Sequence, residues 1–368
     1  MKSDRLDSLD ALRGFNMFFI TGGAAILMAF GTLVTGDGGC WLATQMRHVP
    51  WAGLHVFDVI FPLFLFITGL TFPLSTAKRL ARGDGKGAIA RNIVRRALVL
   101  IVMGALYERI QDFNWPNFRV WSVIGRIGIV WGAAALITLF CSLRTGVTVT
   151  ILILMGWWLL LRLVPAPGSE AGADSIGMQA ACLASWVDVH YLTTAHRFEG
   201  GLATIAMLPT AFFGIWSGRF LMSDREGLSP TGKVVRMLLA GVAAIGLGFL
   251  WSVPSWGFPI VKNIWTGSYA LVTGGLSLVL TAAFHWIVDI RGWKAWAYWL
   301  RVIGVNAIAI YFAARFVPFQ SIGMFFLGGL AKVSDAPGWA AFVGAFCRCL
   351  AGWLFLHFLY RHKIFFKV

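Results

Sequence analysis

Residues 46–69 read MRHVPWAGLHVFDVIFPLFLFITG, and this stretch decides the fold. It opens polar, with Arg47 and His48, then passes into an apolar run that carries His55, Asp58 and Pro62. A helix needs about 20 apolar residues to cross the hydrocarbon core of a bilayer. The run from about 53 to 76 supplies them. His55 and Asp58 are three residues apart, so a helix puts them on one face. Ionisable groups at the mouth of a span are costly unless they face protein or water, which makes them candidates for a site. Pro50 and Trp51 stand where the helix enters, and proline suits a first helical turn because its missing N–H has no helical partner there. From position alone, His48 is equally an exposed interfacial histidine, one of seven in the chain.

The rest of the chain has the same character. Of 368 residues, 58% are hydrophobic and 13% charged, where a soluble domain typically carries about 25% charged residues. That composition excludes an ordinary soluble protein and makes the lipid bilayer the principal partner. Thirty Phe and eighteen Trp suit lipid-facing surfaces and interfacial belts. The net charge of +15 has a simpler source than nucleic acid, because cytoplasmic loops of membrane proteins are rich in Lys and Arg. No nucleic-acid partner is expected. The first apolar run starts behind Arg13 and is too long for a signal-peptide core, so it is expected to remain as a helix. Neither a repeat nor a low-complexity tract divides the chain, and a single domain over 1–368 is expected.

Hydropathy predicts an all-α, polytopic helical bundle of about ten transmembrane helices. They fall near 12–34, 53–76, 91–109, 120–141, 145–164, 201–221, 234–252, 266–287, 298–317 and 338–359. The apolar piece 321–331 is too short to cross. Basic residues crowd the N-terminal segment, 77–96, 219–236, 291–301 and the tail, all on one side if the spans number ten. The positive-inside rule then makes both termini cytoplasmic and places His48 outside.

The longest external loop, 165–200, ends in SWVDVHYLTTAHRFEGG, with His190, His196, Arg197 and Glu199 near a membrane entrance. Long loops in compact proteins are often functional. A later external loop leads through Lys262, Asn263 and Trp265 into the eighth span. Trp265 reads equally as an interfacial anchor. Asn263 offers both donors and acceptors at a helix start. Arg126, Asn306 and Arg348 lie inside apolar runs and must face protein or a polar cavity. Asp58 is one candidate partner for Arg126, and structural ion pairing competes with a functional role there.

Five cysteines show no metal-site spacing, and no metal is expected. Cys40 and Cys182 both fall in loops assigned to the outside, where they could pair.

Several blocks together resemble a known family. They are RLDSLDALRGFNMFFI with Asp10, Arg13 and Gly14; HVPWAGLHVFDVIFPLFLFITG; and FRVWSVIGRIGI with Arg119 and Arg126. FEGGLATIAMLPTAFFGIWSG with Glu199, VKNIWTGSYALVTGG and VIGVNAIAIYF follow in order. The chain resembles the heparan-α-glucosaminide N-acetyltransferase family of transmembrane acyltransferases, and its bacterial relatives in particular. The H-x-x-W-x-G-L-x-x-x-D and K-N-x-W blocks in order are the specific part. The opening D-x-L-R-G alone is weak.

The resemblance implies transfer of an acetyl group from acetyl-CoA, as donor substrate, to an amino sugar or envelope glycan at the extracytoplasmic side of a bacterial inner membrane. It places the family's active histidine on His48, as a general base or an acetyl carrier. A base fits imidazole's ordinary titration range near 6.5. Asp58 would orient His48 or balance an arginine, and Asn263 or Asn306 would donate to the developing oxyanion. Arg13, Arg126, Lys262 and Asn306 would bind the donor, whose phosphates call for cations. Trp51, Glu199 and Trp265 would contact the acceptor. A homodimer is one open assembly. The competing class is a transporter of a small sugar or anionic solute, since intramembrane Arg and Asn also mark substrate pathways.

Overall fold

The computed structural model describes residues 6–109, 121–169, 176–191, 200–223, 228–253 and 257–366. Its elements are α1 (Asp7–Phe18), a widened π turn at Phe19–Gly23, α2 (Ala24–Thr35) and a short α3 (Trp41–Gln45). A 3₁₀ turn at Val56–Val59 opens α4 (Ile60–Ala81). Then come α5 (Lys86–Arg109), α6 (Val123–Phe140), α7 (Leu143–Leu163), α8 (Leu183–Tyr191), α9 (Ala203–Ala206), α10 (Leu208–Met222) and α11 (Pro230–Trp251). α12 (Gly267–Phe284) continues into a π turn at His285–Ile290, followed by α13 (Tyr298–Val305), α14 (Ala307–Phe316), α15 (Phe319–Leu327) and α16 (Trp339–Arg361).

The all-α, polytopic expectation holds. Among the described residues, eight helices are long and apolar enough to cross a membrane, or nine if the bent pair α13–α14 is one span. The remaining predicted span, 91–109, is helical as α5, but Arg91, Arg95 and Arg96 sit in its first half. The piece near 321–331 is divided between a 3₁₀ turn at Gly328–Lys332 and α15, which is nine residues long. At 1.5 Å per residue that is about 14 Å, too short to span.

Local chemistry explains several helix starts. Ser122, Ser142 and Ser229 each accept a backbone N–H of the first turn, at 3.1, 3.2 and 3.0 Å. Each satisfies one of the donors a helix N-terminus leaves over. Pro230 follows Ser229 at a first-turn position where no N–H is needed.

The chain divides into two compact units. The first comprises Met1–His48, His55–Ile60 and Leu280–Lys367. In it α1 and α13 cross so closely that a side chain at Gly14 would run into the backbone of Leu300, and one at Gly304 into that of Asp10. Small residues at such crossings let helix backbones approach where lipid supplies no hydrophobic drive. The buried Asn16 amide donates to the Ile60 carbonyl at 2.8 Å and so ties α1 to the first turn of α4. The first span widens at Gly22, whose φ of +146° only glycine adopts readily.

The second unit comprises Val49–Leu54, Phe61–Val279 and Val368. Its core includes Leu65, Trp131, Phe212, Phe258, Trp265 and Tyr269. α4 and α10 cross at Gly69, Gly214 and Gly218, each against backbone of the other helix.

Cys40 and Cys182 are free thiols, as are Cys141, Cys347 and Cys349. The question of whether Cys40 and Cys182 pair, left open by their loop positions, is answered by two free thiols. Cys182 is packed into the core of the second unit, while Cys40 belongs to the first.

Candidate active site

In the first unit, His48 Nδ1 lies 2.7 Å from Asp58 Oδ1. Ten residues separate the two in sequence, so this contact requires the loop to fold back over the helix start. It does fold back, for identifiable reasons. His55 Nδ1 donates to the Arg47 carbonyl at 2.9 Å, and Val56 N–H donates to Gln45 Oε1 at 3.2 Å. The two ends of the loop are thus tied together directly beside His48.

Both carboxylate oxygens of Asp58 are engaged. Oδ2 accepts the His55 N–H at 3.1 Å, capping the first turn, and Oδ1 faces the imidazole. Its side chain is 1% exposed, whereas that of His48 is 52% exposed. A buried carboxylate therefore holds an accessible imidazole. The Phe57 ring packs on the imidazole, centroids 4.8 Å apart, and limits its tilt. With Nδ1–H donating to the carboxylate, the imidazole's basic lone pair sits on Nε2. This is the orientation in which an acid–histidine pair performs general-base chemistry.

The second unit gathers several other predicted residues. Trp51 donates through Nε1 to the Ile176 carbonyl at 3.0 Å. Its neighbour Gly53 donates to Ile260, and Ala52 bridges to Val261, so the segment runs beside the one leading to Lys262 and Asn263. Both of those are half-buried, and the Asn263 amide reaches the Pro50 carbonyl at 3.5 Å. Trp265, readable as an interfacial anchor, is instead a core residue. It is buried at a φ of +51°, edge-on to Phe61 and Tyr269, and donates to Thr210 Oγ1 at 3.2 Å.

Arg126 is buried on α6, as the cost of a lipid-facing guanidinium requires. It stacks over Phe61 and lies within electrostatic reach of Asp188 on α8. Asp188 is a residue that sequence reasoning passed over, although it stands in the long loop beside His190. Burial lifts its carboxyl above the ordinary range, while the N–H groups of Gly200–Leu202 and the Arg126 charge pull the other way.

The remaining predicted residues lie elsewhere. Arg13 is paired with Asp10 at 3.1 Å on α1. Asn306 sits at the break between α13 and α14, which are bent by 74°. Its amide donates to the Ile364 carbonyl at 2.9 Å and accepts Phe366 N–H at 3.1 Å, so it clasps the C-terminal tail. Glu199, with Arg119, His196 and Arg197, lies outside the described residues. Among the described residues, no cluster of His, Cys, Asp or Glu is arranged to hold a metal ion.

Fold and site together define an integral, polytopic helical membrane protein with a carboxylate-oriented histidine at the start of a span. The chain is similar over nearly its whole length to two enzymes. The heparan-α-glucosaminide N-acetyltransferase of Homo sapiens is 25% identical over 433 aligned positions, covering 99% of this chain and 60% of the human protein. That of Mus musculus is 25% identical over 425 positions, covering 100% and 61%. The chain thus spans about three-fifths of the length of these relatives. No protein-family model matches it.

Proposed function

We propose that the protein is a membrane acetyltransferase that moves an acetyl group from acetyl-CoA to the amine of an amino sugar, with His48 as general base. The single observation that carries this reading is the 2.7 Å contact between His48 Nδ1 and Asp58 Oδ1. The names of the two similar enzymes support the substrate class. His48 Nε2 accepts a proton from the acceptor's nitrogen as that nitrogen bonds to the thioester carbonyl carbon. The carbon–sulfur bond breaks, and the imidazolium returns its proton to the departing thiolate. Asp58 stabilises the imidazolium in between and stays ionised. Atoms and protons balance without a further reactant.

The side of the membrane is part of the same proposal. The distribution of basic loops supports a position for His48 on the extracytoplasmic side, where an envelope glycan or sugar precursor of a bacterial inner membrane would present its amine. A donor made in the cytoplasm must then reach that side through or along the helices.

The test is direct. Purified full-length protein in detergent is given acetyl-CoA labelled in the acetyl group and a panel of glucosamine-terminated acceptors, and labelled product and free CoA thiol are both counted. The reading expects stoichiometric release of thiol and N-acetylated product with at least one acceptor. Thiol release without acetylated sugar, or solute uptake into proteoliposomes with no acetyl transfer, overturns it in favour of hydrolysis or transport.

A further inference from the structure

The first unit contains a cavity of about 280 Å³ whose lining is almost wholly apolar. Phe18, Trp299, Ile310, Phe319 and Trp353 are among the residues of its wall. One charged side chain reaches it, Arg348, the tenth of the 23 residues of α16. By the helical rise that is about 14 Å from the helix start, well inside the span. No described residue forms an ion pair or hydrogen bond with Arg348. The widened turn of the first span passes the same place, where a side chain at Gly22 would meet Cys349 Sγ and come close to Arg348 Cδ.

A guanidinium inside a span is expensive and normally faces a partner or water. Here it faces a hydrophobic hollow. A pocket that is mostly apolar with one well-placed charge is the ordinary form of a small-molecule site. The charge fixes the head of the ligand, since Arg binds a carboxylate through two parallel N–H···O contacts. A single guanidinium balances one negative charge, which favours a carboxylate over a doubly ionised phosphate. The size fixes the tail. At about 30 Å³ per water-sized volume, the hollow holds roughly nine such groups, enough for one short chain and too few for two acyl chains.

We propose that this cavity binds a mono-anionic, single-chain amphiphile, a medium-chain fatty acid, with its carboxylate on Arg348 and its chain along the aromatic wall. The proposal does not depend on the acetyl-transfer reading.

The probe is decanoic acid carrying a diazirine near the end of its chain, photolysed with the full-length protein in detergent, with the labelled peptides mapped by mass spectrometry. Label is expected on the cavity-facing parts of α13, α14 and α16. Unlabelled decanoate should suppress it at a concentration at least tenfold below that needed with decanol. Arg348→Gln should cut specific labelling about tenfold. Ala314→Phe, which fills the hollow and keeps the guanidinium, should cut it comparably. Equal competition by decanol and decanoate overturns the proposal, as does unchanged labelling in Ala314→Phe or label spread evenly over lipid-facing helices. Stronger competition by decyl phosphate than by decanoate overturns the carboxylate assignment. Should Arg348→Gln fail to fold, the wild-type competition and the Ala314→Phe variant still decide.

Discussion

Arg126 lays its guanidinium over the ring of Phe61, 5.0 Å from the ring centroid, and Phe61 stands edge-on to Trp265 with centroids 5.1 Å apart. A buried cation is thus held on an aromatic stack, with the buried carboxyl of Asp188 in electrostatic range. Removing the guanidinium loses the contact with the Phe61 ring and a charge that draws the Asp188 carboxyl down. Arg126→Leu should therefore lower the unfolding temperature of the detergent-solubilised protein markedly, and Arg126→Lys, which keeps the charge, should lower it less. Wild-type stability in the Leu variant would show that the charge is not structurally needed.

The same pair predicts a pH dependence. Burial raises the Asp188 carboxyl above its ordinary 3.8, so the folded state holds that proton more tightly than the unfolded chain does. The resulting stabilisation is complete below 3.8 and is lost as pH rises through the elevated value. Asp188→Asn should flatten this part of the stability profile relative to wild type, measured as unfolding temperature across the acidic range. Arg126→Leu should extend it to higher pH, since Arg126 is one of the groups drawing the carboxyl down. Parallel profiles in wild type and Asp188→Asn would remove Asp188 as the source.

His48→Ala should reduce acetyl transfer by about a hundred- to ten-thousand-fold, the usual range for loss of a general base. Binding of acetyl-CoA should persist, because the base acts on the acceptor. Asp58→Asn should also reduce turnover strongly, because an amide has one oxygen for two donors: with that oxygen on the His55 N–H, its NH2 faces Nδ1 and selects the tautomer with the lone pair on Nδ1. His55→Ala should cost less. It gives up one contact to the Arg47 carbonyl but leaves His48 and Asp58 in place. Steady-state rates with a proven acceptor check all three, and near-normal turnover in His48→Ala would eliminate it as the base.

Thiol labelling tests both burial and sidedness. Cys141 is exposed and Cys40 partly so, whereas Cys182 is 1% exposed and its thiol is pushed up by burial. A maleimide should modify the first two in the native protein and Cys182 only after denaturation. In sealed right-side-out vesicles, an impermeant maleimide should reach Cys40 and spare Cys141, which the positive-inside arrangement puts in the cytoplasm. The reverse pattern would invert the topology.

The helical spans were legible because composition and run length speak directly to the bilayer, and the intramembrane position of Arg126 already required that it be buried. The orientation of His48 was less legible. Its motif was visible, but the contact with Asp58 rests on two bonds from Gln45 and His55 that close a loop, and loop closure leaves no periodic trace. Trp265 was open to an interfacial reading because tryptophan suits both a membrane surface and a packed core, and only its neighbours Phe61 and Tyr269 decide between them. Asn306 looked like a donor for a ligand, since nothing in the tail signals that Ile364 and Phe366 return to it. Asp188 stood in plain view beside His190, yet an acid in an aperiodic loop carries no sign of burial.

Asp58 spends one oxygen on starting α4 and the other on holding His48. The imidazole is thereby keyed to the register of a membrane helix. An inserted or deleted residue between His55 and Asp58 would swing the carboxylate about a third of the way round the helix and undo the cap and the imidazole contact together. The four-residue interval from His55 to Asp58 therefore has to be inherited as a block.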